Sequence, residues 1–280
     1  MSKKFKVAFQ GEKGAYSHLA CLEIFPNADV KACKTFDEAF MMAKESSEYK
    51  IVIPITNSST GSIADMHYLL PKYKLQIHAE HFQKVSHNLL GIKNSKIQDI
   101  KAVRSHAQAH SQCSKIILEN NFKALVSADT AGSAKLISEW NNINDAAIAS
   151  ELAAKIYNLD IIDTNFQDTN YNVTRFLVMS KDTVIFEKDT PNLITTLVFK
   201  VRSIPAALYK SLGGFASNGV NLTKLESYVH PQGFNVAQFY IDFEGHPEAI
   251  PEKLALEEMR FFCKEINILG VYKASDFRKK

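Results

Sequence analysis

Cysteine is scarce. Four stand among 280 residues, at Cys21, Cys33, Cys113 and Cys263, and no two form a C-x-x-C pair. That pattern excludes a disulfide framework and reads as reduced, buried thiols of a cytoplasmic protein. Long apolar runs are absent: nothing approaches the ~20 residues that a membrane span needs. Lys3-Lys4 is followed only by a short apolar run that reaches Gln10-Gly11 at once, so no secretory leader is expected. Neither sign of charge dominates. Lysine and arginine number 33 against 30 acidic residues, a net charge of +3. The basic residues are thinly spread, whereas a nucleic-acid surface needs a clustered patch. The terminal Arg278-Lys279-Lys280 reads as a solvated tail. Glycine numbers only 11, and Gly11-x-x-Gly14 is not the dinucleotide fingerprint. A P-loop and a G-x-S-x-G elbow are also missing. His78-Ala79-Glu80-His81 lacks the i, i+4 histidine spacing of a zinc helix, so no metal is expected and His87 nearby reads as structural.

What is present is a globular chain, 46% hydrophobic and 22% charged, with length for about two domains. The first 180 residues repeat one pattern, in which a short apolar strand meets small polar residues and then a helix. Phe5–Phe9 leads into Gly11 to Ser17, and Lys50–Ile55 into Thr56 to Ser62. Ile100–Val103 leads into Ser105-His106-Ala107-Gln108, Ala124–Val126 into Asp129 to Ser133, and Ala146–Ala149 into Ser150. Alternating strands and helices argue for an α/β fold. In such folds ligands bind beyond the carboxyl ends of the strands, where helix N-termini attract carboxylates and phosphates. One hydroxyl at a helix start is ordinarily a cap. Asn57-Ser58-Ser59-Thr60 exceeds what one cap requires and is a candidate anion site.

The pattern breaks at residues 181–192, whose polar turn residues mark a linker. Beyond it, Leu193–Val201 reads as a strand and Ala206–Ser217 as a helix ended by Asn218-Gly219. Asn221–Val229 and Phe234–Phe243 read as strands around Pro231-Gln232-Gly233. Glu252–Glu265 reads as an amphipathic helix and Ile268–Lys273 as a last strand. The order βαββαβ is that of a ferredoxin-like sandwich.

One segment combines polar side chains with an apolar strand: Asn170-Tyr171-Asn172-Val173-Thr174-Arg175-Phe176-Leu177-Val178. Here the chain resembles the prephenate dehydratases that carry a C-terminal ACT regulatory domain. Asn172-x-Thr174-Arg175-Phe176 is similar to their T-R-F signature. Val7 to Ser17 resembles their opening, and Pro54-Ile55-Thr56-Asn57-Ser58-x-x-Gly61 their P-x-E-N-S-x-x-G loop. Ser105-His106-x-Gln108 with Gln112-Cys113 resembles S-H-P-Q…Q-C, and Asn221 to Ser227 resembles N-L-T-K-I-E-S. The likeness runs from about residue 5 to 275 in consistent order. Four positions depart from it: Thr56 for Glu, Ala107 for Pro, Ala206 for the Gly of G-A-L, and Tyr228 for a common Arg.

The resemblance implies a two-lobed catalytic domain over 1–182, like the periplasmic binding proteins, and a ferredoxin-like ACT domain over 193–275. It implies a cofactor-free lyase of phenylalanine biosynthesis that turns prephenate into phenylpyruvate and answers to L-phenylalanine. Thr174 would help the ring hydroxyl leave, within a network of Asn57, Ser105 and Gln112. Substrate would be held by Ser58, Ser59, Thr60, Gly61, Thr130, Ala131, Gly132, Arg175 and Phe176. The effector would meet Ala206, Ala207, Leu208, Asn221, Leu222, Thr223, Glu226 and Ser227 in a homodimer or homotetramer. Arogenate dehydratase and a non-catalytic anion- or amino-acid-binding protein stay open as alternatives.

Overall fold

The computed structural model describes residues 5–229 and 237–279. The chain opens with β1 (Lys6–Gln10), whose Val7, Ala8 and Phe9 are all fully buried. A continuous apolar run suits a strand covered on both faces. There follow α1 (Tyr16–Ile24), β2 (Asp29–Cys33), α2 (Phe36–Glu45), β3 (Tyr49–Asn57), β4 (Gly61–Ser62), α3 (Ala64–Tyr73) and β5 (Gln76–Lys84). Next come β6 (Asn88–Gly91), β7 (Ala102–Ser105), α4 (Ala107–Gln112), α5 (Ser114–Glu119), β8 (Lys123–Val126), α6 (Thr130–Trp140), β9 (Asp145–Ala149), α7 (Glu151–Tyr157) and β10 (Asp160–Asp163). The last elements are β11 (Val173–Ser180), β12 (Leu193–Val201), α8 (Ala207–Ser217), β13 (Leu222–Val229), β14 (Ala237–Glu244), α9 (Ile250–Phe262) and β15 (Cys263–Lys273).

These strands build three sheets. The first runs β2-β1-β3-β11-β5 with β4 on β3, and the second β10-β6-β9-β7-β8. The chain enters the second sheet after β5 and returns to the first only with β11, so two α/β lobes share two crossings. In the second sheet β7 is parallel to β8 and β9, while β6 is antiparallel to β9 and β10. Its strands alternate strictly. Leu89, Val103, Ala146 and Ile148 enter one core, and Leu90, Ala147 and Ala149 the opposite one. Both α/β lobes are therefore as the alternating sequence pattern leads one to expect.

The third sheet runs β13-β14-β12-β15 with every pairing antiparallel. With α8 and α9 over one face this is the ferredoxin-like βαββαβ arrangement. Phe215 of α8 and Ala255, Leu256 and Met259 of α9 pack on Leu197, Phe199, Phe239, Ile241 and Phe243. By contacts the chain divides into two units. One comprises Met1–Ala39, Val52–Ser62 and Phe82–Phe176, and the other Phe40–Ile51, Ile63–His81 and Leu177–Lys280.

Several local expectations are corrected. The last helix ends at Phe262, not Glu265, because Cys263 is already extended and pairs with Val201, and Glu265 with Lys200. The final strand therefore starts at Cys263 rather than Ile268. Residues 276–279 are not a loose tail but a short 3-10 helix. In it Arg278 forks onto Glu80 of β5, Nε to Oε1 at 2.6 Å and Nη2 to Oε2 at 2.9 Å. Ser203 to Ala206 lie outside α8, whose N-cap is Ala206 in a left-handed conformation. The expected start of the fourth strand at Phe234, and the Pro231-Gln232-Gly233 turn, lie outside the described residues. All four cysteines are free and buried, and no described helix is long and apolar enough to cross a membrane.

Candidate active site

Residues 57–61 are the turn of the β3–β4 hairpin, not the start of a helix. The helix-dipole site expected there is thus corrected. α3 begins only at Ala64, after Ile63, which offers no side-chain cap. Asn57 closes the turn on itself. Its Oδ1 accepts from the backbone N–H of Ser59 at 2.9 Å and of Thr60 at 3.2 Å, and from the Thr60 hydroxyl at 3.3 Å. Ser58 ties the turn to β11: its N–H donates to the Val173 carbonyl and its Oγ accepts from the Val173 N–H, both at 2.9 Å. Ser59, Thr60 and Gly61 are exposed, and Thr60 Oγ1 accepts from Gln108 Nε2 at 3.1 Å.

Behind this turn lies a buried polar cluster. Asn57 Nδ2 donates to Asn172 Oδ1 at 2.7 Å and to Thr174 Oγ1 at 2.9 Å. Asn172 Nδ2 donates to Gln112 Oε1 at 3.0 Å. His87 Nε2 lies 2.9 Å from that same Oε1, and its Nδ1 lies 3.0 Å from the Tyr16 hydroxyl. Asn57, Asn172, Thr174 and His87 are all at most 8% exposed. Buried polar groups of this kind are costly unless paired, so the pairing fixes their geometry. Three of the four expected catalytic residues, Thr174, Asn57 and Gln112, therefore converge. Ser105 does not join them by hydrogen bond. It is fully buried at the end of β7, and its hydroxyl donates to the Ile148 carbonyl at 2.7 Å.

Other expected substrate contacts fall elsewhere. Thr130, Ala131 and Gly132 do open α6, but Asp129 holds that helix end, its Oδ1 accepting from the Gly132 N–H at 2.6 Å. The adjoining cavity of about 260 Å³ carries Glu12, Asp129 and Glu139 against Lys135. A carboxylate ligand would meet three acids there, so the anion-site reading of 130–132 is overturned. Phe176 is 1% exposed and belongs to the core, and Arg175 is buried and engaged within the protein rather than on the surface. His106 is the exposed N-cap of α4, accepting from the Gln108 N–H.

Three members of the cluster were not anticipated: Asn172, His87 and Tyr16. Asn172 carried a signal, since it stands two residues before Thr174 and so shares its side of an extended chain. His87 had none. Burial lowers its pKa, and the bond to Gln112 only partly opposes that, so the ring is neutral at neutral pH. Tyr16 is pushed well above its ordinary range by burial and then by Cys113. The Cys113 thiol is itself raised to about 12, by burial first and then by Asp168. The Gly14 loop beside Tyr16 is held by close approach: a Cβ there would lie 2.8 Å from the Ala153 Cα, at a φ of +94°. Among Thr174, Asn57, Asn172, Gln112, His87 and Tyr16 no side chain is charged at neutral pH. Such a constellation can offer neutral donors to a polar group.

In the ferredoxin-like part, Ala206, Ala207 and Leu208 sit at the start of α8, and Asn221 to Ser227 lead into and along the edge strand β13. Leu208 and Leu222 pack against the same core. Lys224 Nζ pairs with Glu226 Oε1 at 2.6 Å, and Tyr228 stacks on His67 with ring centroids 4.3 Å apart.

The family model for prephenate dehydratase matches residues 7–184. A Komagataeibacter europaeus protein described as a bifunctional N-acyl-homoserine lactone acylase/prephenate dehydratase is 42% identical over 274 residues, 98% of each chain. The chloroplastic arogenate dehydratase/prephenate dehydratase 1 of Arabidopsis thaliana is 38% identical over 285 residues, 96% of this chain and 72% of its own. The solved structure of prephenate dehydratase in complex with L-Phe from Arthrobacter aurescens has a TM-score of 0.89 at 26% identity, covering 97% of this chain and 90% of that one.

Proposed function

Because the chain belongs to the prephenate dehydratase family, and is thus a lyase of the aromatic amino acid route, we propose that it converts prephenate to phenylpyruvate under control by L-phenylalanine. In this reaction the ring C–OH bond breaks, and the electron pair of the C–carboxylate bond moves into the ring. Water and CO₂ leave, one proton being taken up by the departing hydroxide. Aromatisation drives the step and no cofactor is needed.

The observation that carries the reading is the bonding of Thr174. Its Oγ1 accepts from Asn57 Nδ2, so its own proton remains to be donated to the leaving oxygen. A positioned donor of this kind contributes about 10² to 10⁴-fold. The departing carboxylate is better met by neutral groups. Tight binding of its ground-state charge would oppose its loss, because only differential transition-state binding accelerates. Ser58, Ser59, Thr60 and Gly61 of the hairpin turn hold the substrate beside these donors.

The catalytic domain is taken as residues 1–182 and the regulatory ACT domain as 193–275, acting in the cytoplasm as a homodimer or homotetramer. The βαββαβ order and the L-Phe complex of the Arthrobacter relative support the regulatory half. The effector is placed at Ala206, Ala207, Leu208, Asn221, Leu222, Thr223, Glu226 and Ser227. An effector can inhibit only by binding the less active state more tightly.

A second substrate, arogenate, is favoured by the name of the Arabidopsis relative. The test is the rate of phenylpyruvate release from prephenate, and of phenylalanine release from arogenate, with and without added phenylalanine. Turnover of prephenate, suppressed by phenylalanine, supports the proposal in full. Turnover of arogenate alone replaces the substrate, and turnover of neither overturns it.

A further inference from the structure

The polarity of the buried cluster follows from two backbone amides. Asn57 must turn its Oδ1 toward the N–H groups of Ser59 and Thr60, so its Nδ2 faces Asn172 and Thr174. Asn172 must then present Oδ1 to Asn57 and Nδ2 to Gln112. Gln112 must present Oε1, and an oxygen that already faces one N–H donor can meet His87 Nε2 only if that nitrogen also carries a proton. In a neutral ring Nδ1 is then bare and can only accept, and the Tyr16 hydroxyl 3.0 Å away shares its one proton between this nitrogen and the Ser86 carbonyl, to which it donates at 2.7 Å. Each orientation is forced by the one before it. Two donor groups are left over at the near end: the Thr174 hydroxyl, and the Gln112 Nε2 amide, which is buried and has no partner among the described residues.

We propose, resting on the dehydratase reading, that His87 is a positioning residue: as the Nε2–H tautomer it locks the amide of Gln112, and this keeps the Gln112 N–H and Thr174 O–H donors aimed at the leaving hydroxyl. His87 itself stays 2% exposed and reaches the reaction only through Gln112. Its backbone is held separately, the N–H donating to Gln167 Oε1 at 2.8 Å and the carbonyl accepting from the Phe166 N–H at 2.7 Å. Replacing the ring therefore leaves the main-chain anchoring in place. A glutamine at this position would put an amide N–H near the site of Nε2, whereas a phenylalanine fills the volume with no donor.

The experiment has two arms. Ring-nitrogen NMR of the full chain labelled with ¹⁵N-histidine, assigned by comparison with His87→Phe, reads the tautomer without substrate. The Nε2–H form is expected, and the Nδ1–H form would overturn the proposal. Steady-state kinetics on prephenate, or on arogenate if that is the substrate, reads the consequence. His87→Phe should lower kcat about ten- to a hundredfold with KM within about threefold, since small misplacement of donors costs the transition state more than the ground state. His87→Gln should recover most of the loss. An unchanged kcat in His87→Phe, or no recovery in a folded His87→Gln, would sink the idea. If the wild type turns over neither substrate, the functional reading fails, and with it the catalytic consequence, while the tautomer result still decides whether the hydrogen-bond polarity is as derived.

Discussion

Thr174 and Ala206 show what one residue decides in the buried polar cluster and at the start of α8. Thr174 lies 8% exposed, with Asn57 donating to its oxygen. Thr174→Ala removes one hydroxyl and one methyl from a paired cluster without opening a large void. The variant should fold, with an unchanged far-UV spectrum, and lose about 10² to 10⁴-fold in turnover. Near-normal rates would remove Thr174 from the mechanism. Ala206 replaces the glycine of the G-A-L motif that this segment resembles, and the backbone here suits a glycine: its φ is +60° and its ψ 18°. A Cβ is disfavoured in this left-handed conformation. Because Ala206 is exposed, Ala206→Gly loses no packing. It should raise stability by about 1 kcal/mol, read as a shift of the urea midpoint at constant slope. A midpoint that fell would mean that the methyl makes a contact outweighing the strain.

Elements were legible where periodicity and burial agreed. β12 lies where its apolar run placed it, at Leu193–Val201, because Leu193 to Phe199 are buried throughout. The element boundaries that moved did so for tertiary reasons. No Gly or Pro stands between Arg260 and Ile266 to mark a helix end, and only the pairing of Cys263 with Val201 decides where α9 stops. The hydroxyl-rich turn at 57–60 looked like a helix start, since Asn, Ser and Thr serve hairpin turns and N-caps by the same side-chain bond. Convergence of Asn57, Gln112 and Thr174 could be drawn only from family likeness, and the place of His87 depends on neighbours 25 and 71 residues away. The C-terminal segment misled most, because its partner Glu80 is 198 residues distant. Glu80 also accepts from the Ser275 N–H at 2.9 Å, and its carboxylate side chain is fully buried. Removing one partner of such a pair takes the guanidinium away from a fully buried carboxylate, at a cost of about 3–5 kcal/mol. Arg278→Met should therefore destabilise by that order, and Glu80→Gln combined with it should recover part of the loss. An Arg278→Met protein as stable as wild type would return residues 276–279 to the status of a tail.

At the scale of the whole molecule, proton uptake should govern stability on the acid side in two stages. His18, His67, His78 and His87 all have their pKa lowered from the ordinary 6.5, in each case chiefly by burial. Burial keeps them neutral in the folded chain, and the hydrogen bonds of His78 to Asp182 and of His87 to Gln112 only partly oppose it. His18 Nδ1 accepts from the Gly14 N–H at 3.0 Å, and His87 Nδ1 faces the Tyr16 hydroxyl. Below pH 6.5 the unfolded chain binds protons that the folded chain refuses. Stability must then fall as pH falls, until the folded pKa values are passed. Glu265 acts in a lower window. Hydrogen bonds from Asn267 and Lys200 hold its carboxyl below the ordinary 4.5, so its contribution is present above that value and disappears as pH drops through the folded one. Melting temperature measured against pH should accordingly decline first below 6.5 and again below 4.5. His78 bonds Ser180 and the Asp182 carbonyl rather than any catalytic group. His78→Gln, which cannot titrate, should flatten the first decline and leave the second untouched. A melting temperature constant from neutral pH down to 4.5 would show that the burial of these histidines is matched in the unfolded chain, and the linkage argument would fail.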